Sequence, residues 1–351
     1  VRYQEKGKQP RMKVLQIEES TEVAAIPNHI YTFPWLTGVD AVDYEASYPY
    51  SRLRFSDRDM PFVVEMEAWS PFIPHDIKNS ALPAAVFDFR ITSRSRRPVD
   101  VMLMATMRDI IGYDVADKRF ATRICTGQTY RMFEMSCDLV DKKHVSYGTQ
   151  AVASLSRGST YYLGWEARHP YYEIVIRNPK LPNINDTEGR NWRKDEKTGM
   201  MLARGRANST IAASRRLRSR GSFQHTFITA WHCPNLYSDA TAKQKAKGMS
   251  HERRLEGHYY DNFFRSASKV AAYVAKNLKQ LDEKTRRFHR MFLDSTLPRF
   301  VLDQVNSHLN TFVTSAWLTR GMNFGVQEGM NPERNFGPLA TIDVATYGSM
   351  T

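Results

Sequence analysis

The chain has 351 residues, enough for two domains and a sizeable core. Hydrophobic residues make up 42% and aromatics 12%, which excludes a disordered chain, and no apolar run approaches the length of a membrane-spanning helix. The formal net charge of +13 favours anionic partners, and the three cysteines, widely spaced and without a CxxC pair, argue against a disulfide framework or a zinc knuckle.

From Tyr44 to about Trp231 the pattern is that of strands. Phe62, Val64, Met66 and Ala68 alternate with Val63, Glu65, Glu67 and Trp69. Phe87, Phe89 and Ile91 form a second such face, and Val99, Val101, Leu103, Ala105 and Met107 a third. Shorter strands are expected at Tyr161–Trp165, Glu173–Arg177 and Phe223–Trp231, separated by prolines and by Asn-Pro and Gly turn signals. Many short punctuated strands point to a large β-sandwich. Glu65 and Glu67 read as a solvated strand face, and Met102, Met104 and Met107 as core filler. The polar stretch Asn183–Ala207 reads as a long surface loop, and Ala240–Gly257 as a domain boundary.

Positive charge is concentrated at Arg94, Arg96 and Arg97, and again at Arg204, Arg206, Arg215, Arg216, Arg218 and Arg220. These lie in Ser- and Gly-containing turns without interleaved aromatics, which speaks for a solvated face over a nucleic-acid groove.

At Asp261 the period changes. Val270, Tyr273, Val274, Asn277, Leu278, Leu281, Phe288 and Phe292 recur at mostly helical spacing, with Lys269, Lys276, Lys279, Glu283, Lys284 and Arg287 between them. A second helix is expected after Asp294-Ser295-Thr296-Leu297-Pro298, with Phe300, Val301, Val305, Leu309 and Phe312 as its apolar stripe. Two helices and a loop cannot close an α domain, so their stripes are expected to face water unless further chain or a partner covers them. The organisation expected is a β-sandwich at 1–240, a linker and connecting helix at 241–293, and the first part of an α domain at 294–351.

The closing stretch, Gly321–Ser349, carries Glu328, Glu333 and Asp343 among Gly, Asn and Pro residues. Acid-bearing loops placed by rigid elements are where catalytic groups tend to lie, and Gly329 frees the backbone beside Glu328. No HExxH, GxGxxG, GxSxG or P-loop pattern occurs, so metal, dinucleotide and nucleotide chemistry have no support, and no cofactor is expected.

Several stretches, in one order, resemble glycoside hydrolase family 116, which includes the non-lysosomal glucosylceramidases and bacterial β-glucosidases. They are Tyr48–Phe55, Glu65–Pro74, Leu82–Phe87, Ala230–Asn235, Gly257–Tyr260, Asp294–Pro298, Gln327–Gly329, Thr341–Val344 and Tyr347–Ser349. The resemblance implies a β-sandwich joined by helices to an (α/α)6 barrel, of which only the opening part would be present, with both ends truncated beside relatives.

It further implies a retaining mechanism, in which one carboxylate attacks the anomeric carbon and a second carboxyl protonates the leaving oxygen at a separation of roughly 5 Å. Glu328 matches the nucleophile position. Asp343, with Thr341 beside it, matches an acid that binds sugar hydroxyls. His232 and His258 fall in matching stretches as candidate substrate contacts, against a plainer reading in which one ends a strand and the other packs under the helix. The acid/base of relatives has no matching stretch here, so this chain alone is expected to be inactive. The departure at Met330-Asn331-Pro332 leaves the sugar open between a β-glucoside and another β-glycoside such as a pentoside. A second reading is a non-catalytic basic module or subunit for an anionic partner or glycan.

Overall fold

The structure, a computed structural model, describes residues 1–17, 36–112, 115, 120–137, 140–165, 168–186, 192–194, 201–203, 208–238 and 254–326. The first strands are β1 (Arg2–Glu5), β2 (Arg11–Ile17), β3 (Leu36–Val39), β4 (Ala41–Ser47), β5 (Tyr50–Ser56) and β6 (Phe62–Trp69). A single helical turn, α1 (Ile77–Ser80), leads to β7 (Ala84–Ser93), β8 (Val99–Arg108), β9 (Phe120–Thr126) and β10 (Arg131–Cys137). Then come β11 (Thr149–Ser154), β12 (Thr160–Trp165), α2 (Arg168–Arg177), β13 (Ile184–Asn185), β14 (Trp192–Lys194) and β15 (Met201–Ala203). The long strands β16 (Asn208–Leu217) and β17 (Ser222–His232) precede the short pair β18 (Tyr237–Ser238) and β19 (Arg254–Leu255). The chain continues through α3 (Ala267–Leu293), α4 (Arg299–Leu309), α5 (Thr311–Thr314), β20 (Ala316–Leu318) and β21 (Phe324–Val326).

Two sheets pack face to face. One has seven strands in the order β13-β12-β16-β8-β1-β2-β3, the other eight in the order β4-β5-β6-β7-β17-β11-β10-β9. Between them lie Phe62, Val64, Ile91, Val101, Leu103, Phe133, Leu163, Ile211 and Phe227, all buried. The alternation that marks β6, β7 and β8 in the sequence is thus the inner face of a sandwich.

Both outer faces are also covered. On the seven-stranded sheet, Tyr171 and Val175 of α2 are buried against Met12, Met102, Tyr162, Trp165 and Ala212. Trp165 and Tyr171 stack at 3.9 Å and 9°. The buried Arg2 donates to the carbonyl of Ile176 at 3.3 Å, tying the end of α2 to β1.

Glu173–Arg177 is therefore the end of a helix where the sequence reads as a strand. Tyr171 and Val175 stand four apart on the covered face, and Glu173 pairs with Arg177 at 2.7 Å in the same helical spacing. The β-branched run supplied the strand signal, and the tertiary contact overrode it. Within the stretch read as a long loop, Trp192–Lys194 and Met201–Ala203 form an antiparallel pair and Ile184–Asn185 adds to the edge of the sheet.

On the eight-stranded sheet lies α3. Ala267, Val270, Ala271 and Val274 pack against Tyr50, Trp69, Ala84, Val86, Ala151, Ala153, Ile228 and Ala230. Small residues on both sides let the helix approach the sheet closely. The stripe of this helix is thus covered, contrary to the expectation that it would face water.

The first turn of α3 has no hydrogen-bonding cap from its own N-cap, Ser266. The sheet supplies the acceptors instead. Thr149 Oγ1 accepts from the backbone N–H of Ala267 at 2.7 Å, and Glu134 Oε2 from that of Ser268 at 2.7 Å. Glu134 is buried and also meets Arg123 at 2.5 Å. Burial pushes its pKa up, but the bonds from Ser268 and Arg123 outweigh that and hold it below the usual carboxylate range.

Farther along α3 the contact turns ionic. Glu67 accepts from Arg52 at 2.8 Å and pairs with Arg286, which also meets Asp282 at 2.8 Å and lies 4.6 Å over the Tyr50 ring. Glu67 therefore bridges sheet and helix and is not a solvated strand charge. Met102 is fully buried, and Met104 and Met107 pack at the edges of two cores, as filler.

In α4 the buried residues are Leu302, Asn306 and Leu309, while Phe300 is 73% exposed. The stripe is rotated from the expected one because a polar side chain anchors it. Asn306 accepts from the backbone N–H of Tyr48 at 2.8 Å and donates to its carbonyl at 3.2 Å, pairing as a strand neighbour would.

His225 on β17 is buried, with Nε2 2.6 Å from Ser154 Oγ, and burial pulls its pKa down to about 4. The unfolded chain protonates this imidazole near pH 6.5 and the fold only near 4, so the unfolded state binds more protons across that window. Stability is expected to fall as pH drops through it, by up to about 3 kcal/mol from this group. Melting curves from pH 7 to 4 should show the slope, and His225→Phe should make it shallower, the remainder coming from other buried histidines such as His258. An unchanged slope in the variant would contradict the assignment.

Candidate functional site

At the end of the eight-stranded sheet a cleft of about 770 Å³ opens between the sandwich and the C-terminal elements. Ser70–Pro74, Leu82–Ala84 and Trp231 form its sheet side, His258–Tyr260 its floor, and Phe312, Leu318, Met322 and Phe324 its far wall. The lining is predominantly apolar and aromatic, as in many pockets that enclose a ligand. Asp76 is the one carboxylate among the described lining residues. It caps α1, accepting from Asn79 N at 3.2 Å and Asn79 Nδ2 at 2.7 Å.

His258 lines this cleft. Its ring stacks on Tyr260 at 5.1 Å and 6°, and burial pulls its pKa down to about 4. It enters the site as a neutral imidazole. Tyr260 donates to the carbonyl of Cys233 at 2.7 Å, fixing both rings against the end of β17.

His232 sits behind Tyr260 and is 4% exposed. Its Nε2 lies 3.1 Å from Asp261 Oδ1 and 3.0 Å from the Phe264 carbonyl, so that nitrogen carries the proton and donates to these acceptors. Burial lowers its pKa, and Asp261 works against that. His232 thus orients Asp261 and does not line the cleft, whereas His258 does.

Asp261 is a hub. Its other oxygen accepts from Arg320 Nη2 at 2.5 Å, in the turn joining β20 and β21. Arg320 N also donates to the Gly257 carbonyl at 2.8 Å, and Asn262 Nδ2 to the Arg320 carbonyl at 3.0 Å. Gly257 has φ +68°, a conformation that favours glycine, and a Cβ there would come within 2.8 Å of the Arg320 guanidinium and push it from its place. Sequence reading missed Asp261 and Arg320. The only signal was Asp261 following His258-Tyr259-Tyr260, with nothing to pair it to a residue 59 positions on.

The β20–β21 hairpin is registered Ala316 to Val326, and Val326 stands two residues before Glu328. Glu328, Thr341 and Asp343 lie outside the described residues. What the structure fixes is the anchor from which that stretch departs: a hairpin held to the sandwich through Asp261.

No curated protein matches this chain in sequence. Among solved structures, it is similar to a heparan sulfate lyase HepC mutant from Pedobacter heparinus, at 8% identity and TM-score 0.26, over 62% of this chain and 27% of that one. It is likewise similar to a protein described as a kojibiose phosphorylase from the human microbiome, at 8% identity and TM-score 0.26, over 80% of this chain and 26% of that one. The chain spans about a quarter of the length of each, and likeness at that level carries no argument about function.

Replacing Asp261 with Ala should leave His232 and Arg320 without their shared acceptor. The expected cost is about 1–3 kcal/mol in urea unfolding, with faster proteolytic cutting in the 316–326 hairpin. Unchanged unfolding and cutting would show the hub to be dispensable.

Residues 1–281 match the family model described as beta-glucosidase 2, glycosyl-hydrolase family 116 N-term, which covers the sandwich, the cleft floor and the capped half of α3, and the chain belongs to that glycoside hydrolase family.

Proposed function

We propose that this chain is part of a retaining, exo-acting β-glycosidase in which Glu328 is the nucleophile. The observation that carries the reading is the family match over residues 1–281, joined to the Gln327-Glu328-Gly329 stretch that begins directly after β21. A nucleophilic carboxylate must be held within reach of the anomeric carbon, and a position two residues beyond an anchored hairpin suits that need. Asp343 and Thr341 are assigned to sugar hydroxyls and His258 to the wall beside them.

The partner acid/base has no counterpart among the 351 residues, so the pair is completed by further chain or by a partner polypeptide. The opening residues from about 294 are assigned to an (α/α)6 barrel, with 1–240 as the sandwich and 241–293 as the connection. A terminal β-glucoside, including a glucosylceramide-like one, is the default substrate.

The test is covalent trapping. A mechanism-based fluoroglycoside that arrests the glycosyl-enzyme should label Glu328 in a preparation carrying the complete barrel, identified by peptide mass. Glu328→Gln should abolish labelling and lower kcat by several orders of magnitude. Label on another carboxylate, or full activity in the variant, would remove Glu328 from this role.

A further inference from the structure

The described arginines of the two clusters of the sequence meet in the fold, Arg204 and Arg206 lying outside the described residues. Arg94–Pro98 connects β7 to β8, and Arg218–Gly221 connects β16 to β17. The turns are hydrogen-bonded to each other, with Arg220 N donating to the Ser95 carbonyl at 3.2 Å and Ser93 N to the Gly221 carbonyl at 2.9 Å. The β1–β2 turn joins them, Lys6 N donating to the Pro98 carbonyl at 3.0 Å. One end of the sandwich thus gathers Lys6, Lys8, Arg94, Arg96, Arg97, Arg215, Arg216, Arg218 and Arg220, all exposed.

The compensating acids there are Glu5, bound by Lys8 at 2.6 Å, and Asp100, 3.9 Å from Arg216. Asp57 and Asp59 of the next turn face Lys13 and Arg11. Among the described residues, Arg94, Arg96, Arg97, Arg215, Arg218 and Arg220 have no carboxylate within ion-pair distance. A cluster of like charges on rigid, cross-bonded turns costs repulsion that an anion would relieve. The surface is also concave: Pro98, Arg215, Arg216, Leu217 and Arg218 line a shallow trough of about 460 Å³.

This end is opposite the cleft. Strand β7 starts at the cleft with Ala84 and ends at the basic turns with Ser93, a ten-residue strand that spans roughly 30 Å. Strand β17 runs between the same two ends in the other direction, from Ser222 to His232.

We propose that this trough is a second, non-catalytic binding site for a linear acidic polysaccharide, one bearing sulfate or carboxylate groups. Guanidinium forks match both oxyanions in bidentate fashion, and arginine, not lysine, dominates the trough. No aromatic lines it to stack a nucleic-acid base, and no exposed apolar side chain lines it to enter a bilayer, while a trough suits a chain better than a plane. Membership in a carbohydrate-acting family selects the glycan over other polyanions. The assignment does not depend on Glu328, so labelling of the nucleophile and binding at this end succeed or fail separately.

The experiment uses the whole 351-residue chain on beads bearing dextran sulfate, polygalacturonate or neutral dextran, eluted with salt. Binding is expected on one or both acidic polymers, falling steeply between about 50 and 200 mM salt, and not on neutral dextran. Retention on only one acidic polymer identifies its acid group as the one recognised. The triple variant Arg215→Glu, Arg218→Glu, Arg220→Glu should lose at least about ten-fold in affinity at fixed salt while melting as wild type does. A charge-matched control on the exposed face of α3, Lys276→Glu, Arg287→Glu, Arg290→Glu, should stay within about two-fold. An equal loss in the control would reduce the effect to net charge and overturn the site. So would no retention on either acidic polymer, or tighter binding to phosphatidylglycerol vesicles or single-stranded DNA at the same salt.

Discussion

The structure depends on how the N-terminal turn of α3 is received by the eight-stranded sheet. A helix leaves its first backbone N–H groups without partners, and burying them unsatisfied costs about as much as the apolar contact returns. Here Thr149 and Glu134, both on strands, accept the first two. A buried carboxylate is tolerable only because it receives a helix N–H and a guanidinium together. Helix and sheet are therefore mutually dependent. The alanines at 84, 151, 153 and 230 read as weak strand formers until Ala267 and Ala271 come down on them.

That docking positions every element C-terminal to it. Once α3 is seated, its far half is tied by the Arg52–Glu67–Arg286–Asp282 chain of charges, and His289 reaches Ser47 at 2.8 Å. The next helix is keyed to the sandwich by Asn306 on the Tyr48 backbone, and the hairpin beyond it by Arg320 on Asp261. The helix α3 is thus held by several polar side chains, and α4 and the hairpin after it are keyed through Asn306 and Arg320. Polar locks specify position more sharply than apolar contact, because a one-residue slip leaves buried groups unpaired.

The inner face of β6 through β8 was readable from its alternation, because residues two apart there all enter one core. Where both faces are covered, the period-two signal lost its meaning. Trp69 and Glu67 fall on the face that α3 covers, so the aromatic is buried and the acid becomes a bridge. The Tyr-Glu-Ile-Val-Ile run of α2 carries strand-forming residues, and only the sheet beneath it decides for helix. The stripe of α4 was misplaced by one position because Asn306 counts as polar in any periodicity, yet is buried for its hydrogen bonds. In the site, His258 was legible from a motif, whereas Asp261 and Arg320 acquire their roles only by a contact across 59 residues.

The separation of the two ends of the sandwich has an electrostatic consequence. Six exposed arginines, Arg94, Arg96, Arg97, Arg215, Arg218 and Arg220, stand together at an end of the sandwich roughly 30 Å from the cleft. At physiological salt the Debye length is about 8 Å, so the field of those arginines is spent well before it reaches His258. The low pKa of His258 accordingly follows from burial, with His232 adding to it and Asp261 opposing it, all within the local cluster. Charge at the basic end can change without shifting the protonation of the cleft. The fold thus isolates an end suited to holding a polyanion from an end whose groups must keep fixed protonation, and the strands of one sheet serve as the spacer between them.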